Sequence, residues 1–226
     1  MNRVLGVDPG QVNDPTALLI LDQVGREYHA RKLERPRLGT SYVHVVDRVA
    51  EIMGSPVMLD AELVVDATGV GRPFCDMLRD RGLAPIGVMI TSGATENNED
   101  WCYRVPKRNL ITTAQLVMQQ GRLVLPRANP LSETLLTELR AFRVKISAAG
   151  NDQFEGREGE HDDLVLALCL ALWRARRMEL EEEAPPAPPK GSPAWQESER
   201  RRMKEVRIAQ VEAQVESVRE IEEWCG

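Results

Sequence analysis

Four aspartates in this 226-residue chain stand where chemistry could be done: Asp8, Asp66, Asp162 and Asp163. Asp8 ends the apolar run V-L-G-V, Asp66 ends E-L-V-V, and Asp162-Asp163 opens the run E-H-D-D-L-V-L-A-L-C-L-A-L-W over residues 160–173. An isolated Asp-Asp ahead of a helix reads as ordinary capping, because unpaired N–H groups and the macrodipole favour negative charge there. A different chemistry arises if other carboxylates come to meet the pair. Three or four carboxylates within a few ångströms cannot all stay ionised unless positive charge neutralises them. Mg²⁺ or Mn²⁺ take such oxygen ligands. Two of these cations about 3.5–4 Å apart activate a water and stabilise the leaving oxygen in phosphodiester hydrolysis.

Other residues near these runs carry two readings each. His161 either assists proton transfer or metal binding, or is a structural neighbour of the helix start. Gly69 and Gly71 either cradle a phosphate or serve a strand-to-helix turn. Lys107 and Arg108, at an expected helix start, are candidates for phosphate contacts of DNA against a background of ordinary solvation. Glu158 and Glu160 are either supporting acids or loop charges.

The elements that must position the aspartates are legible in outline. Residues 4–8, 16–21 and 27–33 read as three strands joined by short turns, hence an antiparallel meander. Residues 41–53 carry Val45, Val46, Val49, Ile52 and Met53 at helical spacing. Residues 62–66 form a fourth strand and 72–81 a helix closed by Gly82. Residues 86–90 form a fifth strand, parallel to the fourth through that crossover. Residues 91–100 read as a loop, 105–121 as a helix punctuated by Pro106 and Gly121, 123–125 as a short strand and 132–142 as a helix. A hairpin is expected from residues 143–147 and 153–157. The run 164–173 lacks a polar face, so the helix over 160–177 is expected to be buried on most sides.

Composition narrows the setting. The four cysteines are scattered without a C-x-x-C pair, which argues against a disulfide framework or zinc site and fits a reducing cytoplasm. No signal peptide precedes Val4 and the ten-residue apolar run is too short to span a bilayer, so a soluble protein without membrane contact is expected. The net charge of −6 is unevenly spread: residues 101–150 hold eight Lys or Arg against two Glu, whereas from Glu179 onward twelve Glu face seven Lys or Arg. A basic middle therefore remains available for a polyanion. Three segments follow: a domain over 1–178, a Pro- and Glu-rich linker over 179–193, and a charged helix over 194–226. In the last, Ile208, Val211, Val215 and Val218 make a seam of about two heptads that docks a partner, self-associates, or is simply solvated.

Asp8 followed by a meander, Asp66 on the fourth strand and H-D-D opening the last helix resemble the RNase H-like superfamily. Within it, V-V-D-A-T-G-V-G-R-P, V-P-K-R-N-L and E-H-D-D-L-V-L-A-L resemble the nuclease domain of bacteriophage terminase large subunits, over roughly residues 3–175. The resemblance implies an RNase H-like α/β fold: a mixed sheet of five or more strands, the first three antiparallel, with helices on both faces. It also implies a metal-dependent endonuclease that cuts concatemeric double-stranded phage DNA in the host cytoplasm. Asp8 and Asp66 match the first two metal-binding acids and Asp162 or Asp163 the third, with two divalent ions, Mg or Mn, as cofactors. Complete terminases carry an N-terminal ATPase, and the G-x-x-x-x-G-K-[ST] phosphate loop is absent from this sequence. The expectation is an excised domain, or a free-standing nuclease that meets an ATPase motor or other packaging proteins as separate chains. L-G-V-D-P-G also resembles the opening of RuvC-type Holliday-junction resolvases, which carry Glu as the second acid. A non-catalytic DNA-binding or assembly module on the same fold is a further alternative. An actin-like ATPase shares the opening strand and turn but leaves the H-D-D helix without a role.

Overall fold

The structure, a computed structural model, describes residues 2–10, 14–148, 162–183, 190–193, 195–197, 199–200 and 203–204. The chain divides into two units, Met1–Glu182 and Glu183–Gly226. The first is built on a mixed sheet of β1 (Arg3–Asp8), β2 (Ala17–Val24), β3 (Glu27–Glu34), β4 (Glu62–Asp66), β5 (Ile86–Thr91), β6 (Asn97–Glu99), β7 (Cys102–Pro106) and β8 (Leu123–Val124). Their order across the sheet is β6-β7-β5-β4-β1-β2-β3-β8. β1, β2 and β3 form the expected antiparallel meander. β1, β4, β5 and β7 run parallel, which places their C-terminal ends along one edge.

Helices α1 (Tyr42–Met53), α2 (Gly71–Asp80), α3 (Lys107–Gln119), α4 (Leu131–Ala148) and α5 (Asp163–Glu183) cover both faces. Strand alternation decides which residue meets which layer. Leu5, Val7, Leu63 and Val65 pack with Val45, Val46 and Val49 of α1 and Phe74 and Leu78 of α2. Val4, Val64 and Val88, one residue out of phase, pack with Leu110, Ala114 and Val117 of α3, Leu135 of α4 and the body of α5. Leu164, Leu168, Leu170 and Leu172 are fully buried, and each contributes about 1.5–3 kcal/mol by the usual burial estimate. The expectation of a helix enclosed on most sides is met, and this apolar body anchors the acidic start of α5 against the sheet.

Three local expectations are corrected. Residues 102–106 are a strand, and the helix expected from residue 105 begins at Lys107. The alternation that sends Cys102 to one face and Tyr103 and Val105 to the other spans too few residues to stand out from the helical period that follows. Residues 97–99, expected as loop, pair with β7 as a short edge strand. Residues 143–147, expected as half of a hairpin, continue α4 to Ala148. No Gly or Pro interrupts the sequence from Leu131 to Ala149, and the Leu135–Leu139 spacing prevails over a short alternating stretch. The other half, residues 153–157, lies outside the described residues. α5 also runs past Arg177 to Glu183. There Glu179 accepts hydrogen bonds from the Tyr28 hydroxyl (2.6 Å) and Arg122 (2.7 Å), which tie the last turns to the sheet.

In the second unit, Ser192 caps a helical turn. Its hydroxyl accepts from the Trp195 N–H at 3.1 Å and its carbonyl from the Gln196 N–H at 3.0 Å. The apolar seam from Ile208 to Val218 lies outside the described residues. Among the described residues, no helix is long and apolar enough to cross a membrane.

Candidate metal centre

The pairing of Val7 with Val65 sets Asp8 and Asp66 at the ends of neighbouring parallel strands, whose backbones lie about 4.7–4.9 Å apart. By alternation both belong to the face of Val4 and Val64, the one α5 covers. Gly6 explains how close α5 comes. A Cβ at that position would stand 2.3 Å from the Ala167 carbonyl oxygen and 3.1 Å from the Ala171 Cβ. Only a glycine lets the α5 backbone lie on β1. The helix runs back along the strand, so that its first residues reach the Asp8 end.

Each acid is held by its own turn. Beyond Asp8, the Gly10 N–H donates to Thr16 Oγ1 at 3.0 Å and the Tyr42 hydroxyl donates to the Gly10 carbonyl at 2.7 Å. Asp66 Oδ1 accepts the Thr68 N–H at 2.8 Å, and Thr68 Oγ1 accepts the Ile90 N–H at 2.9 Å, so β5 buttresses the turn. A Cβ on Gly71 would stand 1.8 Å from the Asp66 carbonyl oxygen. Gly71 therefore serves the strand-to-helix approach. Asp162 occupies the N-cap position of α5, its carbonyl accepting the Leu166 N–H at 2.9 Å. Asp163, the first helical residue, is 5% exposed. Its Oδ2 accepts from Arg35 Nε at 2.8 Å, and the same guanidinium donates to Glu138 Oε1 of α4.

These groups act on one another. Burial pushes the Asp8 carboxyl well above its ordinary pKa, and the charges of Asp66, Asp163 and Asp162 push it further, against the pull of Lys107. Burial also raises Asp66, outweighing the Thr68 hydrogen bonds and Lys107. Glu138 is raised by burial and by Asp163 and Asp162, against Arg35. The structure thus brings Asp8, Asp66, Asp162 and Asp163 into one electrostatic neighbourhood at the C-terminal edge of the parallel strands, where functional groups gather in α/β sheets. Lys107, at the start of α3, belongs to the same neighbourhood, whereas Arg108 is exposed. His161, Glu158 and Glu160 lie outside the described residues.

Sequence reasoning passed over Arg35 and Glu138. Arg35 is a single cation between a strand end and Pro36, and Glu138 a single acid in an amphipathic helix. Nothing in the spacing of either signals that they meet. A hard divalent cation suits the donor set, which is all carboxylate oxygen and carries more negative charge than Lys107 and Arg35 offset. Among the described residues, no three His, Cys, Asp or Glu side chains are closed into a ready-made cage. The fit is therefore one of chemistry and charge.

The family model described as "Terminase RNaseH-like domain" matches residues 5–175. The large terminase subunit of Thermus phage G20c is 29% identical over 130 residues, 55% of this chain and 24% of that protein, and the large subunit of Thermus virus P23-45 matches equally. The chain thus spans about a quarter of the length of these relatives. The large terminase nuclease of phage G20c superposes with a TM-score of 0.55 at 24% identity, covering 75% of this chain and 80% of that one. The nuclease domain of the bacteriophage SPP1 large terminase, with bound Mn, gives a TM-score of 0.50 at 13% identity, covering 77% and 87%. At these identities the structural likeness establishes the RNase H-like fold. The family match over residues 5–175 goes further: this chain belongs to the terminase RNaseH-like domain family.

Proposed function

We propose that this chain is a divalent-cation-dependent DNA endonuclease that cuts concatemeric phage DNA during genome packaging, in the host cytoplasm. The observation that carries the reading is the convergence of Asp8 and Asp66, on adjacent parallel strand ends, with the Asp162-Asp163 start of α5. Membership of a terminase RNaseH-like family supports it, as does the bound Mn of the SPP1 relative. Asp8, Asp66 and Asp162 or Asp163 would hold two ions, Mg²⁺ or Mn²⁺, the other of the pair serving as helix cap or supporting acid. When bound, such ions supply the charge that activates a water and stabilises a leaving oxygen of the phosphodiester.

The chain's own residues do the rest. β1 and β4 set the spacing of the first two acids, and α5 carries the other pair to them. Lys107 offsets part of the acids' charge and, with exposed Arg108, faces the phosphates of double-stranded DNA. An ATPase motor, carried elsewhere in the protein or on a separate chain, would feed DNA to the site. The charged residues 194–226 dock a packaging partner or a second copy.

The test is nicking of supercoiled plasmid with Mn²⁺ or Mg²⁺, by the purified chain and by Asp8→Asn and Asp66→Asn. Metal-dependent nicking that both substitutions abolish is expected. Full-rate cutting by either variant sinks the assignment, and DNA binding without cleavage points to a non-catalytic assembly module.

A further inference from the structure

Arg35 hydrogen-bonds the acidic start of α5 and also reaches a second helix. It follows directly on β3, and its guanidinium is largely buried between two carboxylates that are themselves below a tenth exposed, Asp163 and Glu138. The planar fork of an arginine suits this arrangement. Nε donates to Asp163 and a terminal nitrogen to Glu138, so one rigid group fixes the distance between them. Breaking a buried pair by removing one partner leaves uncompensated charge, so the arrangement is costly to lose. It does not, by itself, stabilise the fold more than apolar packing in the same space would. A buried Glu–Arg–Asp bridge at this edge is therefore weak evidence for a purely stabilising role. Carboxylates that hold a metal are commonly oriented by an outer hydrogen-bond donor.

We propose that Arg35 is a positioning residue: spanning Glu138 of α4 and Asp163 of α5, it fixes the Asp163 carboxylate beside Asp8 and so sets the affinity of the acid cluster for a divalent cation. This rests on the proposed metal-dependent function. Glu138 is the far anchor of the bridge, and its contact is with the guanidinium.

The fork geometry makes three substitutions informative. Arg35→Met removes the bridge but leaves two buried acids without their cation, and it can fail through folding alone. Arg35→Met/Glu138→Gln removes one of those acids as well, which relieves the folding defect while Asp163 still lacks its Arg35 contact. Arg35→Lys keeps the charge but cannot make the two-pronged contact. Arg31→Met is the control, since Arg31 pairs with Asp22, which lies across from Arg3 at the end of β1 opposite Asp8.

The experiment is Mn²⁺ titration of the full chain, followed by the electron paramagnetic resonance signal of free Mn²⁺, alongside thermal unfolding. In Arg35→Met/Glu138→Gln, Mn²⁺ binding weakens by roughly 10–100-fold, the usual cost of losing an outer partner. Arg35→Lys falls between this variant and wild type, and Arg31→Met binds as wild type. Wild-type Mn²⁺ affinity in the double variant, whatever its unfolding temperature, overturns the positioning role and leaves Arg35 a structural bridge. A wild-type chain that binds no Mn²⁺ overturns the proposed metal-dependent function instead, so the two failures are told apart.

Discussion

Gly6 of β1 and Ala167 of α5 meet backbone to backbone: a Cβ added to Gly6 would lie 2.3 Å from the Ala167 carbonyl oxygen. The site depends on this approach, because α5 carries Asp162 and Asp163 and β1 carries Asp8. Gly6→Ala must push the helix off the strand. The expected loss of stability is about 1–3 kcal/mol, the usual cost of overpacking a core. Cutting should fall by more than the lost stability explains, because the acids on the two elements separate. Urea unfolding and plasmid nicking on the same preparation check this. A variant that unfolds early yet cuts at the wild-type rate while folded contradicts the proposed geometry.

Asp8 is a liability to the cation-free fold, held in a partly enclosed place among three other carboxylates. Asp8→Asn removes that repulsion. Without divalent ions the variant should be more stable than wild type by about 0.5–2 kcal/mol, as when a strained functional site is relieved. With Mn²⁺ the order should reverse. Wild type gains about 2.7 kcal/mol at a hundredfold excess over Kd, while the variant, short of one ligand, gains less. Thermal unfolding in EDTA and in Mn²⁺ reads both arms. Lower stability of Asp8→Asn in EDTA means that Asp8 supports the fold and is not waiting for a cation.

The sequence made the acids legible because each stands at the boundary of an apolar run, and such boundaries survive as composition. Asp8, Asp66 and the Asp162-Asp163 pair lie at the strand and helix ends expected of them. What stayed hidden was decided by tertiary contact. β7 is five residues long and is recognisable mainly through its pairing with β5. The extension of α5 rests on the Glu179–Tyr28 hydrogen bond between residues 151 positions apart. The Arg35 bridge joins residues separated by 128 and 103 positions, a juxtaposition no local pattern encodes.

The two aspartates opening α5 should differ in weight. Asp163 is buried, held by Arg35 and acts more strongly on Asp8, whereas Asp162 is half-buried at the N-cap position. Asp163→Asn should therefore lower cutting more than the roughly 10–100-fold typical of losing an outer partner. Asp162→Asn keeps a side chain suited to an N-cap and should stay within about tenfold of wild type, less than the cost of an outer partner. Single-turnover nicking at saturating Mn²⁺ separates the two, and the opposite ranking assigns the main role to Asp162.

Acid stability should also carry the mark of the ion pair between Glu34 and Arg48. Glu34 accepts two hydrogen bonds from Arg48, at 2.9 and 2.6 Å, and pairs with Lys32 at 2.6 Å; Arg48 first and Lys32 second hold its carboxyl at about 2 against an ordinary 4.5. Because the folded value is the lower one, the pair stabilises the fold above pH 4.5, and the contribution is lost as the pH falls toward 2. Both side chains are partly exposed, so about 1 kcal/mol is expected rather than the full linkage value. Glu34→Gln should then be less stable than wild type by that amount at neutral pH, with the gap closing steadily below pH 4.5. Urea unfolding of both proteins from pH 2 to 7 measures it, and a gap that stays constant across that range shows that Arg48 and Lys32 do not hold the Glu34 carboxylate.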